Sequence, residues 1–521
     1  MLLIEAHHIK HYVQDRLLLQ AEHLQVHQND RIGLVGRNGS GKTTLLQIIA
    51  GRYAPEEGTV LRHARCSLLP QLKRVDSKKS GGEVTQEYIQ QVLLEHPELL
   101  LADEPTTHLD TDHIEWLEKK FGEWQGALLI VSHDRAFLDA LCTKIWEIQD
   151  GTITEYTGNY SDYMEQKKVA RQQHQAAYEK YEKKKKQLVD ALKLKEKKAE
   201  RATKAPKKTS SSEARITGAK PYFAKKQKKL QKTAKAIETR LEKLEIVEKR
   251  KETAPLKMDV VNEENFKDRI ILRIENVEGK IGDRLLWKKT GFYVRGGDKL
   301  AIVGPNGSGK TMFLRKLVQQ DPGMIFSPSV NWGYFSQHLT ILDVEKTIID
   351  NVQSSSKQDE TLIRTVLARM HFFGEDVHKP VHVLSGGERV KVALAKLFLS
   401  DCNTLILDEP TNFLDTEAVE ALESLLKDYA GSVIFASHDR RFIEEVANRI
   451  VVIRDQEMEV FEGDWHQYQN KPTTTQGTDQ DRRLLLETKI SDVLSRLSIE
   501  PSPELEREFQ KLLKEKKELD G

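Results

Sequence analysis

Short unbroken apolar runs recur along the chain, separated by polar stretches of very unequal length. Arg31-Ile32-Gly33-Leu34-Val35, Leu99-Leu100-Leu101-Ala102 and Leu128-Leu129-Ile130-Val131 read as buried strands, and so do Lys299-Leu300-Ala301-Ile302-Val303, Leu405-Ile406-Leu407 and Val433-Ile434-Phe435-Ala436. Between the two sets the pattern turns polar. Residues 165–203 contain no Pro or Gly and are rich in Lys, Glu, Gln and Ala, which predicts a long helix. Residues 224–252 repeat that composition, with Leu230, Ile237, Leu241, Leu244 and Val247 at helical spacing. Pro206, the run Ser210-Ser211-Ser212, Gly218 and Pro221 break helix in between. The expectation is an antiparallel helical hairpin with a non-helical tip, reaching roughly 60 Å for about 40 residues at ~1.5 Å each. Further on, Asp481 opens a helix to about Leu497, Pro501 and Pro503 break it, and Leu505 to Leu519 reads as a second helix. The expected organisation is an α/β domain over 1–164, the hairpin over 165–255 with its tip near 204–223, a second α/β domain over 256–475 and a helical extension over 476–521.

Charge sharpens this division. The net charge of the 521 residues is +1, yet residues 166–252 hold 29 Lys/Arg and 11 Asp/Glu, a net of +18, which leaves −17 for the rest. A basic middle between acidic domains suits contact with a polyanion. Cys66, Cys142 and Cys402 have no metal-ligand or disulfide spacing, as in a reducing compartment. The stretch Met1 to His8 is too short and too soon charged for a secretory signal, and no apolar run reaches 18 residues, so a cytoplasmic protein is expected. His7 and His8 adjoin near a first strand, with no metal role expected of them.

The two domains are copies. Gly36-Arg37-Asn38-Gly39-Ser40-Gly41-Lys42-Thr43 recurs as Gly304-Pro305-Asn306-Gly307-Ser308-Gly309-Lys310-Thr311, an offset of 268. Past the middle of each copy the offset is 305: Ser80-Gly81-Gly82-Glu83 matches Ser385-Gly386-Gly387-Glu388, Asp103-Glu104 matches Asp408-Glu409, and His133 matches His438. The first copy is 37 residues shorter overall, and the gap falls after Gln71, which matches Gln337: from there to the Ser-Gly-Gly stretch is 9 residues in the first copy and 48 in the second. The first copy has lost nearly all of a small helical insertion, so the two should not meet the same partners.

The repeated glycine-rich loop is built for phosphate. Its backbone N–H groups at a helix N-terminus favour an anion, Lys42 and Lys310 should reach the β- and γ-phosphates, and Thr43 and Thr311 should hold Mg²⁺, with Thr44 following the first loop. Asp103 and Asp408 end apolar strands and fit a Mg²⁺ role. Glu104 and Glu409 come next, placed to polarise the attacking water, and His133 and His438 are placed to contact the γ-phosphate. Tyr12 could stack on adenine; the aligned residue of the second copy is Lys280.

Phosphate loops, Gln71 and Gln337, Leu384-Ser385-Gly386-Gly387-Glu388, strands ending Asp-Glu, and the two histidines together resemble the ATP-binding cassette ATPases, over both copies. The resemblance implies two cassettes closing head to tail on two ATP molecules. Lys42, Asp103 and Glu104 would face Ser385 and Gly387, and Lys310, Asp408 and Glu409 would face Ser80 and Gly82. Gln71 and Gln337 would join the Mg²⁺ ligands. Lys79 departs from the leucine usual before the signature, which weakens the equivalence of the second site.

Tandem cassettes joined by a charged hairpin resemble the ABC-F ATPases, and over the whole length the chain looks like their Vga-type antibiotic-resistance subclass. That resemblance implies a monomer that enters the E site of the bacterial ribosome when ATP-bound. It would displace P-site tRNA and dislodge lincosamides, streptogramin A compounds and pleuromutilins through a tip formed by Lys208 to Phe223. A housekeeping ABC-F translation factor, the ATPase subunit of an exporter, and a DNA-repair or chromosome ATPase are the alternatives.

Overall fold

A computed structural model describes residues 1–13, 15–69, 81–107, 109–201, 219–244, 269–336, 341–470 and 509–510. The chain divides into two compact units, Met1–Glu462 and Gly463–Gly521.

In the first unit each apolar run forms a central strand, buried on both faces as parallel strands must be when helices flank them. The first cassette is built on β1 (Leu2–Val13), β2 (Arg16–His27), β3 (Arg31–Gly36), β4 (Glu57–Arg62), β5 (Cys66–Leu69), β6 (Leu99–Asp103), β7 (Ala127–Val131), β8 (Lys144–Gln149) and β9 (Thr152–Thr157), in the order β4-β1-β2-β9-β8-β3-β7-β6-β5. The half from β8 to β5 is parallel, and the outer β4-β1-β2 half is antiparallel. A single parallel pairing, Gln20 with Thr152, joins β2 to β9. Apolar residues pack on both faces, with Trp146 inside one cluster and Phe121 and Phe137 inside the other.

The second cassette repeats this on β10 (Ile270–Ile281), β11 (Arg284–Arg295), β12 (Lys299–Val303), β13 (Met324–Phe326), β14 (Trp332–Phe335), β15 (Thr404–Asp408), β16 (Ser432–Ala436), β17 (Arg449–Arg454) and β18 (Glu457–Glu462). Here the outer sheet β11-β10-β13 stays separate from β14-β15-β16-β12-β17-β18. The Lys288 N–H donates to the Gln456 carbonyl at 2.8 Å, in the place of the ladder of the first cassette. The insertion expected only in the second copy is present there, as helices Ile348–Gln353 and Glu360–Arg369 and two 3₁₀ turns.

The arm differs from its sequence reading at both ends. Its first helix runs Tyr160–Arg201, so it begins inside the cassette, with Tyr160 and Tyr163 buried in that core. Its second helix runs Ala219–Glu242, so Ala219 to Phe223, read as part of a non-helical tip, are helical. Pro221 falls in the first turn, where no intrahelical N–H bond is lost. The two helices pack along each other. Residues 204–218, the rest of the expected tip, lie outside the described residues, as do 202 and 203.

In the second unit, helix Trp465–Gln469 is capped by Asp464, whose Oδ1 accepts from the Gln467 N–H at 2.8 Å. The helices expected over Asp481–Leu497 and Leu505–Leu519 lie outside the described residues apart from Phe509 and Gln510, which are helical.

Candidate nucleotide sites between the cassettes

Each phosphate loop leaves a parallel strand and enters a helix, β3 into Lys42–Ile49 and β12 into Lys310–Gln319. Gly41 and Gly309 stand at the helix N-caps with φ of 99° and 103°, a left-handed conformation that a side chain resists. Lys42 Nζ donates to the Gly36 and Arg37 carbonyls at 2.7 and 3.0 Å, and Lys310 Nζ to Gly304 and Pro305 at 2.8 and 3.1 Å. Burial lowers the pKa of both lysines. The buried Ser40 and Ser308 hydroxyls have no hydrogen-bond partner among the described residues. A buried hydroxyl without a partner is costly, and a phosphate oxygen is the partner these loops are shaped to admit.

Both loops open into one cavity of about 1120 Å³ between the cassettes, lined also by Thr43, Thr44, Asp103, Glu104, His133, Thr311, Ser385, Gly387, Glu409 and His438. Thr311 Oγ1 donates to Asp408 Oδ1 at 3.0 Å, and Thr43 bonds Asp103 likewise. Adjacent hydroxyl and carboxylate oxygens form a donor set suited to a hard cation such as Mg²⁺.

The two glutamates are held alike. Glu104 and Glu409 have φ of 52° and 51°, left-handed values unusual for a side-chain-bearing residue. Their N–H groups bond the carbonyls of Val131 and Ala436 at 2.8 and 2.9 Å, which fixes the turn. Burial pushes the Glu104 carboxyl up to about 8 and that of Glu409 up to about 7. His133 Nε2 lies 3.3 Å from Glu104 Oε1, and His438 Nε2 lies 3.1 Å from Glu409 Oε1. Burial first, then the nearby loop lysine, lowers both imidazoles to about 3, so they are neutral at physiological pH.

Contacts across the interface set the cassettes head to tail. Asp110 caps its own helix through Oδ1, which accepts from the His113 N–H at 3.1 Å, and offers Oδ2 to the Asn306 N–H of the opposite phosphate loop at 2.7 Å. Asp415 does the same with Ala418 at 3.0 Å and Asn38 at 3.2 Å. Burial alone would raise both carboxyls, but these bonds, with Lys391 beside Asp415, hold them below their usual range. Gly387 comes so close to Asn38 and the Phe413 carbonyl that a Cβ would lie 2.7 Å from that oxygen. Ser385 spends its hydroxyl on a capping box with Glu388. Glu388 therefore shapes the signature helix, and Gly386 has open space around its Cα.

The sequence reading did not find Asp110, Asp415 or Arg37 as contributors. A signal existed: Asp110 and Asp415 share the 305 offset, seven residues past the strand-end aspartates. Tyr12 does not line the cavity, which Leu18 and Ile281 line instead. The β1–β2 ladder shifts register between His11 and Tyr12, which re-aims the strand end. Gln71, Lys79, Ser80 and Gln337 lie outside the described residues. Gly81, Gly82 and Glu83 begin helix Gly81–Leu94.

Two phosphate loops, each facing the other cassette across a shared cavity, define a tandem ATP-binding cassette ATPase. A family model described as "ABC transporter" matches residues 19–71 and 287–412, and a second with the same description matches 146–213. The chain is 32% identical to ribosome protection protein VmlR of Bacillus subtilis, covering 98% of this chain and 97% of that protein. It is 35% identical to the erythromycin resistance ATP-binding protein MsrA of Staphylococcus epidermidis, covering 86% and 96%. A crystal structure of an archaeal ribosome recycling factor with a ribosomal stalk protein shares the fold, with a TM-score of 0.58 at 17% identity over 87% of this chain and 89% of that one. The chain belongs to the ABC-F family of ATPases and is an ATPase with two ATP-binding cassettes. Among the described residues, no helix is long and apolar enough to cross a membrane.

Proposed function

We propose that this ATPase is a cytoplasmic ribosome-protection factor of the Vga-type subclass. In its ATP-bound, closed form it enters the E site of the bacterial ribosome as a monomer. Its arm then displaces P-site tRNA and dislodges lincosamide, streptogramin A and pleuromutilin antibiotics from the peptidyl-transferase centre. The observation that carries this reading is end-to-end similarity to a ribosome protection protein, arm included. The arm's charge fits it, because lysines along a helix bind phosphate backbone without reading sequence.

The chemistry follows from the site. Lys42 and Lys310 exchange their loop carbonyls for β- and γ-phosphate oxygens, and the loop N–H groups and Ser40 and Ser308 bind the remaining charge. Thr43, Asp103, Thr311 and Asp408, with Gln71 and Gln337, would hold Mg²⁺, which neutralises phosphate charge when bound. Ionised Glu104 or Glu409 accepts a proton as water adds to the γ-phosphorus, and the bond to the β–γ bridging oxygen breaks, releasing ADP and phosphate. His133 and His438, being neutral, orient that glutamate and the γ-phosphate without adding charge. Loss of the γ-phosphate removes what the opposite signature, Ser385 and Gly387 for the first site, grips. Closure is thus a population shift set by nucleotide state.

The test is sedimentation of the Glu104→Gln, Glu409→Gln double variant with bacterial ribosomes. ATP-dependent co-sedimentation is expected, and no association at physiological salt would overturn the reading. The second reading is a housekeeping ABC-F translation factor with the same two-cassette machinery and no drug phenotype. A gene deletion that leaves drug susceptibility unchanged would select it.

A further inference from the structure

The outer sheet of the first cassette carries a group of side chains that the ATPase chemistry does not use. Along β1 and β2, Ile4, Ala6, Leu24 and Val26 point into the core. Alternation along a strand then turns Glu5, His7, His23 and Gln25 to the opposite face. The register sets His7 directly across from His23 and Glu5 across from Gln25. Residues 16 apart in sequence thus become neighbours.

Their polar atoms converge on one point. His7 Nε2 lies 3.3 Å from Glu5 Oε1, and His23 Nε2 lies 3.6 Å from the same oxygen. Gln25 Nε2 also donates to that oxygen, at 3.1 Å. The two imidazoles stack, with centroids 4.8 Å apart and planes at 28°. Of the three side chains around that oxygen, Gln25 donates a hydrogen bond, while the His23 nitrogen at 3.6 Å stands beyond hydrogen-bond reach. A cation among the two Nε2 atoms and Oε1 would engage all three through lone pairs, which neutral imidazoles and a carboxylate supply.

The spacing fits. Tetrahedral zinc, with ligand bonds of about 2.0–2.2 Å, places its ligand atoms roughly 3.3–3.5 Å apart, and the three atoms here all lie within 4.8 Å of one another. The side chains of His7, His23 and Glu5 are 40%, 45% and 22% exposed, so an ion can enter from solution. Two imidazoles and one carboxylate select a transition metal over Mg²⁺. Gln25 would hold the carboxylate in place as the outer partner such ligands usually have. The aligned positions of the second cassette, Arg273, Glu275 and Gly291, cannot form this group, so it is particular to the first.

We propose that His7, His23 and Glu5 form a surface site for a divalent transition-metal ion of the zinc class, tying β1 to β2, with water as the remaining ligand. The site is separate from the nucleotide sites, and its ion is distinct from the Mg²⁺ that accompanies ATP.

The experiment uses the full chain, stripped with a chelator, without nucleotide and with excess Mg²⁺ present. Zn²⁺ is titrated calorimetrically, and Co²⁺ is titrated while the visible absorption of tetrahedral cobalt is followed. One equivalent is expected to bind, with His7→Ala and His23→Ala each weakening binding at least tenfold and abolishing the tetrahedral cobalt band. His8→Ala and His27→Ala, on the same two strands, should leave both readouts unchanged. Binding that survives both His7→Ala and His23→Ala, binding that is lost with His8→Ala or His27→Ala, or no binding by the parent overturns the proposal. Because the substituted side chains are surface groups, matched circular dichroism and unfolding midpoints separate loss of ligand from loss of fold.

Discussion

Arg37 Nε lies 2.6 Å from Glu417 Oε2, so an acid of the second cassette holds the phosphate loop of the first. The same carboxylate lies 3.7 Å from His371 Nε2, beside the insertion helix Glu360–Arg369, and 3.9 Å from Lys167 Nζ at the root of the arm. One side chain therefore meets a nucleotide loop, the insertion and the arm. Arg37 is more than half exposed, so its pair with Glu417 is worth at most about 1 kcal/mol after screening. Glu417→Gln should leave the fold intact and weaken ATP-dependent repositioning of the arm a few-fold, read by energy transfer between dyes on the arm and on the second cassette. Unchanged transfer would remove the coupling role.

Asp110 spends one oxygen on its own helix and the other on the opposite loop. Asp110→Ala should cost about 1–2 kcal/mol through the cap alone. The cross-cassette bond adds a loss that appears only in the closed form. Asp110→Ala is expected to lower the unfolding midpoint and to reduce ATPase turnover more than capping loss explains. A change of side chain at Asn306 short of proline cannot mimic this, because the bond is to its backbone N–H.

Arg135 is a buried cation, with Nη1 3.1 Å from Glu423 across the interface. Removing one member of a buried pair strands the other, at about 3–5 kcal/mol. Arg135→Ala should strongly disfavour closure, and Arg135→Met with Glu423→Leu should restore much of it. The check is a double-mutant cycle on ATP-dependent closure. Equal losses in the single and double variants would contradict a specific pair.

The pH dependence follows from the raised glutamates. The proposed activation of water by Glu104 and Glu409 needs their ionised form, so kcat/KM for ATP should rise with pH through apparent values near 7 to 8. Linkage runs the other way. A carboxyl raised on folding contributes its stability below the unfolded value of about 4.5 and loses it as pH rises through 7 to 8. The nucleotide-free Glu104→Gln, Glu409→Gln variant should therefore lose less stability between pH 6 and 8.5 than the parent, measured by thermal unfolding.

Removing Thr209 to Gly218 should abolish drug protection in cells and leave ATP-dependent ribosome binding largely intact. Loss of binding would count against that segment as the effector.

The fold and both phosphate loops were legible because each rests on a local pattern that occurs twice: an apolar run, a glycine-rich turn, and an Asp-Glu strand end. What the sequence hid depends on distance along the chain. The Asp110 bond to the Asn306 amide spans 196 residues, and the Arg37 pair with Glu417 spans 380. Neither residue type announces its partner. Pro221 misled for the opposite reason: it breaks a helix interior but is tolerated in a first turn. Where Tyr12 aims is likewise not legible, because a register shift, invisible in composition, decides the direction of a strand end.

The arm helix Tyr160–Arg201 is seated by its first turns, where Tyr163 bonds Glu147 at 2.8 Å and Arg441 reaches Ser161 at 3.4 Å. Its 42 residues at ~1.5 Å each span roughly 63 Å. Such a rod gears motion up. A tilt of about 5° at the root sweeps its far end by about 5 Å, so adjustments of a few tenths of an ångström beside the phosphate loops become travel the width of a nucleotide base.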